Sequence, residues 1–443
     1  MGNKVSIGLL GLGVVGSGIM ELIESHQEEL VHQLGCSVEI KSVLVRNLDK
    51  VRNVSVQQAF LTTEPADVLE DPEIDVIVEV MGGIEEAYQY TLEAFKAKKH
   101  VVTANKDLIA LHGTELEETA REHKCDYYYE ASVAGGIPIL RGITVGLAAD
   151  KIEKVMGIVN GTTNYILTKM TNEGMTYEAA LKEAQDLGFA ESNPTADVEG
   201  LDAARKMAIL GRLAFSTDVA LSEVEVNGIK DLELADLEYG EKFGYTMKLI
   251  GSAECEDGQM EVSVQPTLLS NDHPLAAVKN EYNAVYVYGK AVGETMFYGP
   301  GAGSLPTATA IVSDLITVMK NMRLGINGNF SLKPRISATL RSSEQRSGQY
   351  YLRIHVKDQI GAFSEISTLF NDLHVSFKRI LQTPMKQKNL AEIILITHQT
   401  SLATFEKALK QLYELDVVQQ IKSYYKVEGD APDEVAGTTK ALS

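Results

Sequence analysis

Asp202 and Lys206 stand four residues apart near the end of a segment, residues 184–206, that mixes Asn193-Pro194, Gly188 and Gly200 with Glu191, Asp197 and Glu199. On a helix that spacing puts a carboxylate and an ammonium on one face, a turn apart. Taken alone, such a pair is an ordinary surface ion pair worth about 0.2–0.5 kcal/mol. Far upstream, Gly11-Leu12-Gly13-Val14-Val15-Gly16 directly follows the apolar run Val5-Ser6-Ile7-Gly8-Leu9-Leu10 and opens an amphipathic stretch over 17–34. Strand, glycine turn and helix in that order predict dinucleotide binding. Gly11 permits the tight turn, Gly13 lets backbone amides approach a pyrophosphate, and Gly16 lets helix and strand pack closely. Hydride transfer to a carbonyl then becomes the chemistry to consider. It leaves an alkoxide that needs a proton, and Lys206 is the residue whose setting could give one. Lys106 follows Val102-Thr103-Ala104-Asn105 at the C-terminal end of another predicted strand. Burial and a second cation nearby would lower a lysine pKa toward working pH. An exposed lysine after a strand is the plainer alternative for Lys106.

At the end of the second predicted strand, an NAD-preferring site would place an acidic residue for the ribose 2′-hydroxyl. Here stands Val45-Arg46-Asn47. Arg46 suits a 2′-phosphate, so NADP is favoured with NAD still open, and a solvated arginine beside Asp49 is the other reading.

The elements that must position these groups alternate. Apolar runs at 38–45, 75–80, 100–104 and 127–131, with helical patterns near 84–98 and 113–124, predict an α/β fold with a doubly wound parallel sheet over 1–130. Residues 131–300 read as an α+β domain, to which the resemblance described below assigns catalysis and dimerisation, with strands at 155–159, 261–265 and 284–288 and helices near 163–173, 176–187 and 201–215. A long apolar helix at about 307–322 is expected to pack back onto the first domain, which residues 301–325 would complete. Residues 326–348 read as a linker. Residues 349–427 follow a βαββαβ, ferredoxin-like order, and a polar tail over 428–443 is expected to be disordered.

Composition narrows the partners. Across 443 residues, 41 Lys+Arg against 61 Asp+Glu leave a net charge of −20, which argues against nucleic acid and anionic lipid. Hydrophobic residues at 44% and charged residues at 23% are those of ordinary globular domains, and the absence of Trp argues against an aromatic sugar or base platform. Cys36, Cys125 and Cys255 fit neither a disulfide framework nor a zinc site, so a reducing cytosol is expected. Neither a signal peptide nor a membrane span is predicted. The myristoylation pattern in Met1-Gly2-Asn3-Lys4-Val5-Ser6 reads as coincidence, because a buried strand claims those residues. Nine histidines without HExxH-like spacing predict no catalytic transition metal.

The run 184–206, through Gly188, Asn193-Pro194, Asp197, Gly200, Asp202 and Lys206, resembles the homoserine dehydrogenase signature position for position. The resemblance extends over the glycine turn, Ala104-Asn105-Lys106, residues 130–138, Asn160-Gly161-Thr162-Thr163-Asn164 and Gly301-Ala302-Gly303, about residues 4–325. It implies NAD(P)H-dependent interconversion of L-aspartate 4-semialdehyde and L-homoserine, a step towards threonine, methionine and isoleucine. By the same resemblance Lys206 is the acid/base group, Lys106 lies by nicotinamide and substrate, and Glu191 and Asp202 hold the substrate amino group, for which carboxylates are suited. Asp197 orients the lysines or a water, and Glu199 is read as solvated. Cofactor contacts are implied at Gly11, Leu12, Gly13, Val14, Val15, Gly16, Arg46, Gly82, Lys106, Gly301 and Gly303. A sodium ion is implied at Glu130, Val133, Gly135 and Ile137, mostly through backbone carbonyls, although Gly135-Gly136 also serves a simple turn. The C-terminal module, with Arg353, Val356-Lys357-Asp358, Gly361, Ile366 and Phe370, resembles an ACT domain. By analogy with feedback control, threonine is the expected effector, with a purely oligomerising module as the alternative. A homodimer or homotetramer is expected.

Two other functions compete. A semialdehyde dehydrogenase of the acylating kind needs a nucleophilic thiolate, and none of the three cysteines sits in a loop with a plausible paired base. An amino-acid sensor that lost turnover would have no use for intact Lys106, Glu191, Asp202 and Lys206.

Overall fold

The computed structural model describes residues 4–52, 59–328, 338–386 and 389–431. Gly2 of the myristoylation pattern and residues 432–443 of the expected tail lie outside the described residues. The chain divides into two compact units, one comprising 1–155, 204–224 and 283–338, the other 156–203, 225–282 and 339–443.

The first unit is built on six parallel strands, β1 (Lys4–Leu10), β2 (Ser37–Leu44), β3 (Phe60–Thr62), β4 (Val76–Glu79), β5 (His100–Thr103) and β6 (Tyr127–Tyr128), in the order β3-β2-β1-β4-β5-β6. Strand order reverses between β1 and β4, and open sheets of this kind bind ligands at that crevice, outside the carboxyl ends of the strands. Near-continuous apolar strands are what a sheet covered on both faces requires. Ile7, Leu9, Val43, Val76, Val78 and Val102 form one core with Ala308, Ile311, Leu315, Val318 and Met319 of helix Ser304–Leu324. That helix therefore packs onto the nucleotide sheet from about 300 residues downstream, as its apolar pattern predicts.

The single helix expected over 17–34 is two, Val14–Ser25 and Gln27–Leu34, because the chain turns at His26, whose N–H already closes on Leu22 O. The helix expected at 113–124 begins seven residues earlier, at Lys106, where Asn105 caps it.

In the second unit, strands Tyr245–Glu256 and Gln259–Ser270 pair antiparallel along their full length. The C-terminal module has the predicted βαββαβ order: Ser347–Lys357, Ala362–Asp372, Phe377–Pro384, Leu390–Thr397, Leu402–Glu414 and Val418–Glu428. Its core gathers Leu352, Ile354, Ile366, Phe370, Ile393, Leu395, Phe405 and Leu412. The last strand differs from expectation, running to Glu428 because Thr267–Leu269 offer Lys426–Glu428 a parallel partner. This pairing makes the module's sheet continuous with the preceding strands rather than separate. Part of the expected linker is likewise structured, since Thr339–Leu340 pairs with Gln259–Met260 and Arg346 pairs with Glu225. A buried hub fixes the module further. Asp236, on helix Leu234–Lys242, accepts hydrogen bonds from Arg353 Nε at 2.6 Å and from the hydroxyls of Tyr351, Ser423 and Tyr425.

Candidate active site

The cofactor cleft lies in the first unit. Gly11 turns the chain at φ +102°, and a Cβ there would stand 2.8 Å from Val80 O. Gly16 is excluded from bearing a side chain by Gly11 O, 2.4 Å from where its Cβ would be, whereas Gly13 faces open space. Helix Val14–Ser25 begins at Gly13 with neither a side-chain cap nor an acidic residue in its first turn. Its N–H groups and dipole are thereby left to an external anion. A cleft of about 540 Å³ opens there, lined by Gly11, Leu12, Gly13, Val45 and Arg46 and by Val80 and Met81 beyond β4. These residues fit a dinucleotide.

Arg46 projects into solvent at the rim, its side chain 84% exposed and 3.9 Å from Glu86. Lys50 and Arg52 line the same cleft, and Arg52 donates to the carbonyls of Asn47, Leu48 and Lys50. The sequence reading missed these two cations because they lie beyond the strand end where the ribose-binding residue is sought. Their signal was the basic run Arg46, Lys50, Arg52. Val14 points outward, while Gly82 and Gly83 carry positive φ just past the cleft. Gly301 and Gly303 stand at the start of helix Ser304–Leu324. A Cβ on Gly301 would strike the Asn283 side chain, and Gly303 adopts φ +124°.

Lys106 is the first residue of helix Lys106–Glu122, half-buried, with Asn105 Oδ1 accepting from Leu108 N at 3.1 Å. A cation at a helix N-terminus opposes the macrodipole, so helix stability does not account for this lysine. Lys206 is buried, 9% exposed, on helix Leu201–Phe215. The two lysine-bearing segments are clamped together. Arg205 Nε lies 2.5 Å from Asp107 Oδ1, and Arg212 reaches Thr114 Oγ1 at 3.2 Å and Glu117 Oε1 at 3.0 Å.

A cluster of carboxylates lies in the second unit. Asn160 caps helix Gly161–Glu173 through Thr163 N, and its amide Nδ2 donates to Asp197 Oδ1 at 2.7 Å and to Asp202 Oδ2 at 2.8 Å. Asp202, 5% exposed, occupies the first turn of its helix, where the dipole favours a negative charge. Glu191 remains exposed, its carbonyl accepting from Gln185, and Glu199 is also exposed. The structure thus brings Asp197 and Asp202 together and leaves Glu191 at the surface. Asn160 was given no role at the level of sequence, although an Asn ahead of Gly-Thr-Thr is a readable helix cap.

Around the expected cation site, Glu130 is buried and its carboxylate caps the next helical turn, accepting from Leu140 N and Arg141 N at 2.8 and 2.9 Å. Burial foremost, and then the nearby Asp314, push its pKa up to about 7. With the carboxylate so engaged, the backbone carbonyl is what this residue could offer an ion. Ala134 and Gly135 have φ of 55° and 51°, and a Cβ on Gly135 would approach Gly301 O within 2.5 Å. Among the described residues no cluster of three His, Cys, Asp or Glu side chains is arranged to hold a metal.

The strand order, the glycine turn at the switch point and the cleft define a dinucleotide-binding protein of the doubly wound class. Comparison with known proteins narrows the class. Residues 138–316 match the homoserine dehydrogenase family model, 11–130 its NAD-binding domain and 350–417 the ACT domain. A homoserine dehydrogenase of Bacillus subtilis is 58% identical over 97% of this chain and 99% of its own length, and one from Synechocystis is 39% identical over 96% and 99%. A crystal structure of a homoserine dehydrogenase from Thiobacillus denitrificans superposes with a TM-score of 0.90 at 37% identity, covering 96% of this chain and 98% of that one. A hyperthermophilic archaeal homoserine dehydrogenase in complex with NADPH matches 72% of this chain and 98% of its own, with a TM-score of 0.62 and 27% identity. The chain belongs to the homoserine dehydrogenase family and is an NAD(P)-dependent oxidoreductase acting on the L-aspartate 4-semialdehyde and L-homoserine pair. No helix among the described residues is long and apolar enough to cross a membrane.

Proposed function

We propose that this enzyme reduces the semialdehyde with Lys206 as proton donor. When bound, a nicotinamide would supply the hydride in reduction and take it back in oxidation. Lys206 hands a proton to the aldehyde oxygen as it becomes an alkoxide and recovers it in the reverse direction. Asp202 and Glu191 bind the substrate ammonium, and Asp197, joined to Asp202 by Asn160, sets the orientation of the group. Lys106 steadies the substrate beside the cofactor. The observation that carries this reading is the Asn160 amide held between Asp197 and Asp202, the latter one helical turn before the buried Lys206, in a member of this family.

NADPH is the preferred cofactor in this reading, supported by Arg46, Lys50 and Arg52 at one rim of the cleft and by the NADPH complex of the archaeal relative. A sodium ion would be held at the loop of Glu130, Val133, Gly135 and Ile137, where backbone oxygens would suit a hard cation. Threonine binds the ACT domain and inhibits, the enzyme works as a homodimer or homotetramer, and it resides in the cytoplasm. The deciding experiment follows NADPH and NADH oxidation with aspartate semialdehyde, with and without threonine and sodium, for the parent and Lys206→Ala. Near-normal turnover in the variant removes Lys206 as the acid. Absence of inhibition at millimolar threonine removes the effector assignment, and equal efficiency with NADH removes the NADPH preference.

A further inference from the structure

We propose that Glu79 is a positioning residue for hydride transfer, its carboxyl group bracing together the two strand-end loops that flank the nicotinamide end of the cofactor cleft. Glu79 ends β4 and is fully buried. An acid at the end of the apolar run Val76-Ile77-Val78 gains nothing from packing that a valine would not supply, and it carries a desolvation cost. Its oxygens are engaged on both sides. Oε1 accepts from Met81 N at 2.9 Å, and Oε2 accepts from Thr103 Oγ1 at 2.6 Å. The Asn105 amide and Gly82 N–H also face the carboxyl group, and with the first two donors they oppose the upward pKa shift that burial causes.

These donors come from two loops. One, Val80 to Gly83, lines the cleft with Val80 and Met81 and turns through positive φ at Gly82 and Gly83. The other, Thr103 to Asn105, leads into the helix that starts at Lys106. Thr103 Oγ1, while donating to Glu79, accepts from Asn105 N at 3.0 Å. Asn105 in turn caps the Lys106 helix through Leu108 N and donates from Nδ2 to Gly83 O at 2.7 Å, closing the circuit between the loops. One side chain that accepts from both loops therefore ties the cleft wall at Met81 to the strand end that leads into the helix bearing Lys106. The geometry matters because a misplacement of about 1 Å can cost about 100-fold in rate. This inference rests on the reading that Lys106 works beside the nicotinamide.

The test compares Glu79→Gln, Glu79→Leu and Thr103→Val with the parent and with Lys106→Ala. The measurements are kcat, KM for NADPH, KM for the semialdehyde, and the primary isotope effect with NADPH deuterated at the transferred position. Glutamine keeps the size but turns an N–H₂ toward donors, so both Glu79 variants should raise KM for NADPH and lower kcat by about 10-fold or more, with a larger isotope effect. KM for the semialdehyde should rise less than KM for NADPH, since of the substrate contacts only that of Lys106 is disturbed. Thr103→Val, which removes one donor, should show part of the same pattern. A folded Glu79 variant with cofactor KM, kcat and isotope effect near parent values overturns the proposal, and so does a loss confined to the semialdehyde KM. If neither Glu79 variant folds, Thr103→Val decides, and unchanged cofactor KM and isotope effect there overturn it. Normal turnover in Lys106→Ala refutes the lysine reading separately, leaving the cofactor KM of the Glu79 variants to judge the brace.

Discussion

Asp107 and Arg205 form an ion pair, Oδ1 to Nε at 2.5 Å, that joins the residue after Lys106 to the residue before Lys206. Two lysines a hundred positions apart in sequence are thus carried by turns held side by side. Both partners are about a third exposed, so the pair is worth no more than about 1 kcal/mol of stability. Its consequence is geometric. Asp107→Ala should lower kcat by about 10-fold with little change in melting temperature. A variant that keeps full turnover shows that Arg212 and its partners hold the helices unaided.

Lys206→Ala should lower turnover by about 10²–10⁴-fold, the range expected for loss of a general acid. The fall should be larger in kcat than in KM, because the proton moves only in the transition state. Steady-state assays in both directions check this, and a comparable loss in reduction and oxidation is required by reversibility.

Asp202→Asn should chiefly raise KM for the semialdehyde, by about 10-fold, since a charge-assisted hydrogen bond to the ammonium is worth about 1.5–3 kcal/mol. Asn160→Ala should do likewise without touching substrate, because Asp197 and Asp202 lose the amide that separates their charges. If Asn160→Ala alters only thermal stability, that amide serves folding rather than substrate binding.

Arg46→Ala should cut the preference for NADPH over NADH by about 10-fold by raising KM for NADPH alone. Equal effects on both cofactors would show that Arg46 does not meet the 2′-phosphate. Arg52→Ala should act more broadly, since its guanidinium ties down the loop from Asn47 to Lys50.

Lys248 is buried, donating to Asn164 Oδ1 at 3.0 Å and Val278 O at 2.5 Å, and burial, with Lys279 nearby, pushes its pKa down to about 7. Above that pH the unfolded chain binds a proton that the folded one does not, so stability from this group rises with pH up to the ordinary lysine range. The slope is at most about 1.4 kcal/mol per unit. Below about pH 7 both states are protonated and the full penalty stands. Lys248→Met should flatten the rise between urea melts at about pH 7 and about pH 9. Parallel pH dependence in parent and variant would contradict it.

Much of this molecule is written locally. The turn is legible because at Gly11 and Gly16 only glycine tolerates the backbone contacts found there, while Gly13 faces open space, and the apolar runs of β1, β2, β4 and β5 announce a covered parallel sheet. Asp202 and Lys206 are legible as a pair because helical periodicity alone sets them one turn apart. The βαββαβ order of the C-terminal module follows from alternating patterns in the same way.

What the sequence could not decide is which distant side chains meet. The Asn160 amide between Asp197 and Asp202, the Asp107–Arg205 clamp, the Asp236 hub under Arg353 and the Glu79 brace each join segments tens to hundreds of residues apart. Short-range pattern holds no term for such partners, because a hydrogen bond depends on separations of about 3 Å that arise only after the elements have packed. The composition of the chain and its periodicities chose the elements and several of the reactive groups. Tertiary packing chose their neighbours, and with them which carboxylates pair, which lysines are shielded from water, and where the C-terminal module joins the rest.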